Sequence, residues 1–440
     1  MVKRRVVVTG IGIVSPYGCG IDKFWNSLIE GKSGVKTLTR IPHDGHLVTI
    51  GAEATTFEQE IIDNQLLEPK EAKRMDRFTQ FACVASDEAV KDSKLDMSKE
   101  DPYRVGVIFG SGAGGFDTFE KQHMAMIQRG PVKCSPFTIP MLISNMACGR
   151  ISMRHQAKGL SKSITTACAT SAHAVGDAMR SIQYGDADVI IAGGSEAVMT
   201  NLGMGAFTVA RTLSRRNDEP ERASRPYDVD RDGFVMGEGG ACLILEELEH
   251  ALARNAKIYA EVVGYGQTSD AYDMVAPDPT GAGGAKSMEN AVTDANIKPD
   301  MVDYINAHGT STHLGDIAES QAIAKVFGDL STNKNLLVSS TKSMHGHMIG
   351  ATGAAESIVC IKTITEGIVP PTINLENQDP EVADLNYVPN KAIKKEVKYA
   401  MTNSFGFGGH NASVLFKKFE PEPSELRTKF LANEGSGIRM

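Results

Sequence analysis

The chain has 440 residues, 41% of them hydrophobic and 23% charged, which is enough to bury a large core and more than one domain usually holds, so two halves are expected. A formal net charge of −8 argues against a broadly basic nucleic-acid surface, and no apolar run approaches the length of a membrane span. Seven cysteines (Cys19, Cys83, Cys134, Cys148, Cys168, Cys242 and Cys360) lie scattered with no C-x-x-C pair, and residues 1–5 run into strand residues with no apolar leader; reduced thiols and a cytoplasmic location are expected.

In chain order, predicted strands at 5–9, 105–109, 163–166 and 189–192 alternate with amphipathic helices, and strands at 259–265, 304–306, 337–340 and 412–416 repeat the sense of this. Such alternation predicts mixed sheets covered by helices, an α/β protein with an internal duplication. Phe78, Ala82, Ala85 and Ala89 recur at helical spacing and read as core. The run from Thr9 through Gly10 and Gly12 begins like a dinucleotide fingerprint, but Ser15 stands where a third glycine is wanted; a tight turn with close backbone packing is the plainer reading. The glycine-rich stretch 110–115 lacks the lysine and Ser/Thr that would hold phosphate and magnesium.

Cys168 sits where a β-branched run gives way to small residues that open a helix predicted at 172–184. A thiol there would feel unpaired amide donors and the positive helix end, which favour thiolate and can stabilise an oxyanion. A buried structural cysteine is the alternative. Downstream, the segment 302–312 reads as a short strand delivering His308 to a small-residue turn, and 339–351 reads as a second strand-to-helix elbow carrying Lys342 and His347. Each histidine alone reads equally as a satisfied core residue. Together at strand ends, where open α/β sheets bind ligands, the three point to a Cys-His-His centre for acyl chemistry. Lys70, Lys73 and Arg74, with Lys133, form basic clusters that are either an ordinary solvated face or a dock for an acidic partner.

These residues carry a resemblance. With Thr166-Ala167-Cys168, Asn306-Ala307-His308-Gly309-Thr310, Thr341-Lys342-Ser343, the run from Ser224 to Val235 and Asn403 to Gly409, all in this order, the chain resembles the β-ketoacyl-acyl carrier protein synthases. It is most similar to the elongating type II (long-chain) enzymes of dissociated bacterial fatty-acid synthesis. The resemblance implies a thiolase-like five-layer αβαβα fold from two related halves. Residues 1–257 would carry the nucleophile elbow and cap insertions (116–135 and 213–232), 258–418 both histidines, and 419–440 a tail of unknown role.

It also implies the roles. Cys168 takes the acyl group from a carrier thioester, His308 and His347 stabilise the enolate left by malonyl decarboxylation, and the backbone N–H groups of Cys168 and Phe407 receive the second oxyanion. Lys342 is a buried charge paired with Glu356, while Asp316 and Glu319 support the His308 loop. Thr310 and Thr312 contact substrate, and Phe407 gates an acyl pocket lined by Phe207 and by Ala113, the latter on a dimer-facing wall that is commonly isoleucine. Lys70, Lys73, Arg74 and Lys133 dock an acidic acyl carrier protein, the enzyme is a homodimer, and neither cofactor nor metal is needed. The chain departs from the family pattern at His313, His345 and His410, which are expected at the rim or in support of the site. An H-x-H pair suggests zinc, but no cysteine or carboxylate completes a metal-spaced motif. A polyketide ketosynthase is the alternative; a thiolase would need a second cysteine within 406–411, and a noncatalytic chain-length partner would lack the thiol of Cys168.

Overall fold

One strand order is used twice. In the computed structural model, which describes residues 3–421, the first half supplies β1 (Val6–Ser15), β2 (Val105–Gly110), β3 (Ser161–Lys162), β4 (Val189–Glu196) and β5 (Gly239–Glu247). The second supplies β6 (Ala260–Ser269), β7 (Tyr304–Asn306), β8 (Leu337–Ser339), β9 (Tyr399–Gly406) and β10 (His410–Lys417). The first five lie in the order β3-β2-β4-β5-β1 and the second five in the order β8-β7-β9-β10-β6. Position by position these orders are identical. So are the senses: the first two pairings in each order are parallel and the last two antiparallel. A short antiparallel contact of β1 with β6, Val7 opposite Glu261, joins the halves.

The helices that matter for the site are α1 (Arg77–Ser93), α2 (Phe116–Arg129), α3 (Met146–His155), α4 (Thr170–Gln183), α5 (Asn201–Val209), α6 (Ala282–Asp294), α7 (His313–Phe327) and α8 (Thr352–Glu366). α1 covers β1 and β5 on one outer face, α6 covers β6 and β10 on the other, and α4 and α8 lie between, each touching strands of both halves. This is the thiolase-like αβαβα arrangement. Phe78, Ala82, Ala85 and Ala89 of α1 are fully buried, and Asp76 caps the helix by accepting from the Phe78 N–H.

Glycine sets how close the layers come. The segment expected to turn at 9–15 is instead uninterrupted strand, because its glycines serve packing: a Cβ on Gly12 would lie 2.1 Å from the Ala85 carbonyl oxygen, and one on Gly10 2.2 Å from that of Ala89. The second half repeats the device, with Gly264 and Gly266 at 2.2 and 1.9 Å from the carbonyls of Ala291 and Ser287 on α6. Between the halves, a Cβ on Gly353 of α8 would lie 2.5 Å from the Ala172 nitrogen of α4.

Two predicted elements are displaced. The ladder expected at 163–166 stops at Lys162, since the Thr166 N–H donates to Thr170 Oγ1 (2.9 Å) and leaves the sheet. α4 accordingly begins at Thr170, behind a 3₁₀ turn at Ala167–Ala169, and ends at Gln183. The insertion 116–135 forms α2 and the turn Pro131–Lys133, whereas 213–232 is irregular apart from the turn Pro220–Arg222. Beyond residue 421 the expected tail lies outside the described residues, among which no helix is long and apolar enough to cross a membrane.

Overpacking of an interior costs about 1–3 kcal/mol and more where backbone opposes it. Gly12→Ala and Gly266→Ala should each reach at least the upper part of that range by urea denaturation. Gly149→Ala in α3, whose Cβ would meet only Met146 Sδ at 3.5 Å, should be neutral or stabilising by up to ~1 kcal/mol. Equal effects at all three positions would refute the backbone contacts.

Candidate active site

Each half presents one strand-to-helix elbow to the interior. In the first, the 3₁₀ turn holds Ala167 at φ +50 and places Cys168, 7% exposed, just ahead of α4. In the second, β8 leads to the short helix Lys342–His345, then to Gly346 at φ +67 and His347. His308 follows β7, and Phe407 sits between β9 and β10, followed by Gly408 and Gly409 at φ +83 and +76. Cys168, His308, His347, Phe207, Phe407, Thr310 and Thr312 all line one cavity of about 390 Å³. The two imidazole rings stand 5.4 Å apart and nearly perpendicular, and the Phe207 and Phe407 rings are 6.4 Å apart.

Buried carboxylates fix this geometry. Glu319 accepts from the backbone N–H groups of His308 and Gly309, both at 2.7 Å. Asp316 accepts from the N–H of Ser311 (3.2 Å) and of Tyr227 (3.0 Å), tying the loop after His308 to the irregular cap. Lys342, 1% exposed, donates to Glu356 at 2.6 Å. Burial, reinforced by the Lys342 charge, holds His308 and His347 well below the ordinary imidazole range, so each is neutral at pH 7 and keeps an N–H. His347 Nδ1 pairs with Thr352 Oγ1 at 3.1 Å, and its Nε2 has no partner among the described residues.

The thiol differs from expectation. Burial pushes Cys168 up to about 12, against the opposing pull of Lys342 and of the Phe407 N–H, so the resting group is a thiol and not a thiolate. Loss of water outweighs the helix end and amide donors at a site this enclosed. Those donors nevertheless converge: the backbone N–H groups of Phe407 and of Cys168 itself both act on the sulfur.

Ala113 does not line the cavity. It is exposed, because the glycine-rich loop folds around the Glu196 carboxylate, which accepts from Ser111 Oγ (2.8 Å) and from the N–H groups of Gly112 (2.8 Å), Ala113 (3.3 Å) and Gly350 (3.1 Å). Burial raises Glu196 to about 7. Sequence reasoning missed this residue; its signal was an acidic side chain closing the apolar strand β4. It also missed Ile349, which lines the cavity beside His347 at φ +44, an uncommon backbone for a β-branched residue. Of the departing histidines, His345 is wholly buried and not at the rim, His313 stands exposed at the cavity mouth, and His410 faces His173 with ring centroids 6.4 Å apart. Among the described residues no group of three His, Cys, Asp or Glu could hold a metal ion. Lys70, Lys73, Arg74 and Lys133 are exposed and outside the cavity; the Arg74 guanidinium lies 4.8 Å over the Phe137 ring, which brings residues 70–74 beside the segment bearing Lys133.

Comparison with known proteins gives the family. The family described as beta-ketoacyl synthase matches through its N-terminal domain at residues 3–251 and its C-terminal domain at 259–376. The chain belongs to the β-ketoacyl synthase family. This synthase is 48% identical over 418 residues to the 3-oxoacyl-[acyl-carrier-protein] synthase 2 of Synechocystis sp. and 49% identical over 418 residues to that of Coxiella burnetii, covering 95% of this chain and 99% of each relative. Among solved structures, the ketosynthase of a type II polyketide complex with its acyl-carrier protein (AntDE:AntF) superposes with a TM-score of 0.86 at 33% identity, and the ishigamide ketosynthase/chain length factor with 0.87 at 32%; both comparisons span 95% of this chain and 100% of the other.

The buried imidazoles of the synthase also predict a pH dependence. His308, His345 and His347 all titrate below their ordinary value near 6.5 when folded. Above that pH they are neutral in both states and contribute nothing; below it the unfolded chain binds protons that the folded chain refuses, so stability falls as pH drops from about 6.5 toward 5. His250, raised to about 9 by Glu246, acts oppositely: its contribution is full below 6.5 and disappears as pH rises through 9. Urea unfolding between pH 7 and 5 should therefore show a shallower acid-side loss for His347→Asn than for the wild type, by up to about 1.4 kcal/mol per pH unit. Identical slopes would contradict the neutral assignment.

Proposed function

We propose that this synthase elongates fatty acyl chains by a decarboxylating Claisen condensation, with Cys168 as nucleophile. The observation that carries the reading is the convergence of a thiol, two neutral imidazoles and two backbone donors on one enclosed cavity. Cys168 Sγ attacks the thioester carbonyl of an acyl carrier protein; the acyl–sulfur bond to Cys168 forms and the carrier leaves as a thiol, taking the cysteine proton. Malonyl carrier then loses carbon dioxide, and the N–H groups of His308 and His347 stabilise the enolate oxygen. Attack of the enolate carbon on the acyl-Cys168 carbonyl gives a tetrahedral oxyanion, received by the N–H groups of Cys168 and Phe407. Its collapse breaks the carbon–sulfur bond, expels Cys168 as thiolate, which takes up one proton from water to restore the thiol, and releases 3-oxoacyl carrier protein.

Neutral histidines suit this sequence, because an imidazole with a depressed pKa donates a hydrogen bond without adding a second buried cation beside Lys342. Lys342, held by Glu356, draws negative charge toward the site; Asp316 and Glu319 set the height of His308. The higher identity to 3-oxoacyl synthases than to the polyketide ketosynthases favours fatty-acid over polyketide extension. The reading carries with it a location in the cytoplasm, where the carrier and malonyl pools would be shared.

The outer face near Ala113 supports a homodimer. Phe119, Ile127, Val132 and Ile139, on α2 and the short segments after it, are exposed apolar side chains of the kind a partner chain would cover. A second chain seated there would cover Ala113 and make it the end wall of the acyl tunnel that passes Phe207. The neighbouring Lys70, Lys73, Arg74 and Lys133 would then meet the acidic carrier.

Cys168→Ala should abolish condensation while malonyl decarboxylation survives, whereas His308→Ala and His347→Ala should lose decarboxylation about 10²-fold or more and load acyl groups on Cys168 nearly normally. Intact-mass analysis of the acyl-enzyme and assay of released carbon dioxide separate the two, and normal elongation by Cys168→Ala would end the proposal. Two further variants test the periphery. Charge reversal at Lys70, Lys73, Arg74 and Lys133 should raise KM for carrier-bound substrates only, leaving small pantetheine thioesters unaffected. Ala113→Phe should lose long acyl chains roughly tenfold or more while short primers are retained; a uniform loss removes Ala113 from specificity.

A further inference from the structure

His345 lies in the interior between Lys342 and His347, with its ring against Phe24 (centroids 5.9 Å apart), and both of its nitrogens are engaged. Nδ1 is 2.8 Å from the Gly346 carbonyl oxygen and Nε2 is 3.0 Å from Thr341 Oγ1. A carbonyl oxygen only accepts, so Nδ1 carries the proton and Nε2 accepts from the Thr341 hydroxyl. That hydroxyl in turn accepts from Asn306 Nδ2 at 3.1 Å, and the same amide donates to Tyr304 Oη at 3.1 Å. Asn306 is the last residue of β7, two before His308, and Gly346 immediately precedes His347. The hydrogen bonds therefore run in one direction, from the His308 elbow through Thr341 and His345 to the His347 elbow.

We propose that His345, as its Nδ1–H tautomer, is a positioning residue that couples the two elbows and aligns His308 with His347 on the developing enolate oxygen. The inference rests on the assignment of those two imidazoles to malonyl decarboxylation. A side chain engaged on one partner alone would leave either Gly346 or Thr341 free to shift, and displacement of about 1 Å at a reacting centre costs about 10²-fold.

The test separates the two half-reactions. His345→Ala should lower malonyl decarboxylation about 10- to 100-fold while acyl loading of Cys168, read by intact mass, changes less than about threefold. Thr341→Val, which keeps the volume and removes the relay hydroxyl, should reproduce that split, and His345→Asn, which keeps a donor for Gly346, should recover part of it. Wild-type decarboxylation in His345→Ala and Thr341→Val, or an equal loss of both half-reactions, overturns the proposal. Independently of activity, ¹⁵N-histidine NMR of the wild type, with the His345 signals identified by their absence from His345→Asn, should show Nδ1 protonated and Nε2 unprotonated; any other form overturns it. If His308→Ala and His347→Ala decarboxylate normally, the failure belongs to the assigned chemistry and the NMR result still stands on its own.

Discussion

The contact of Gly353 with Ala172 fixes the distance between the two halves, and the site depends on that distance. α4 and α8 touch there without an intervening side chain, so the turns that precede them, one bearing Cys168 and the other His347, open onto the same space. A larger residue at 353 would move one elbow relative to the other as a rigid body, since each is anchored to its own sheet by backbone packing. The glycines of β1 and β6 do for the outer layers what Gly353 does for the inner ones. Shape therefore precedes chemistry: the reacting groups are side chains on turns whose positions are dictated by backbone approach.

Dehydration then decides the protonation states. Among the ionisable groups facing the interior, burial is the largest influence on Cys168, His308, His347, Glu319 and Glu356; the Lys342 charge comes second for all of these but Glu319, where the N–H donors of Gly309 and His308 come before it. The thiol and both imidazoles stay neutral, and the local field comes from the charged groups braced around them, the Lys342–Glu356 pair foremost. A neutral resting site avoids the several kcal/mol that each isolated buried ion would cost. It also means that charge arises only transiently, next to donors already oriented to receive it.

Much of this was legible in the chain. Alternating strand and helix patterns, the small-residue elbows at 166–168 and 341–343, and acidic residues one turn into the helix after His308 announced the duplication, the reacting groups and the carboxylates that brace them. The points it left open share a physical cause, namely dependence on structure that must form before the deciding contact exists. The strand expected at 163–166 peels away because the Thr166 N–H finds an acceptor four residues on, Thr170 Oγ1, which is in place only once α4 has formed. Likewise the thiolate expected from the helix end ignored enclosure, which no window of sequence reports. Ala113 belongs to a wall that a second chain would have to complete, and of the two places open to His345, the rim or the support of the site, the second became visible only once its partners Thr341 and Asn306 met from two separate strands' ends.

The Glu196 carboxylate gives the glycine-rich loop a property opposite to the one its composition suggests. A concave run of backbone N–H groups ordinarily recruits anions from solution. Here the acceptor is covalently part of the chain, so its effective concentration at the loop is set by the fold and not by the surroundings, and a tethered group of this kind outcompetes free ligands far below the millimolar to molar range. Free phosphate and nucleotides thus find the nest already closed by the protein's own side chain, and a loop that looks built for capture acts as a permanent internal latch between β2, β4 and the turn that carries Gly350.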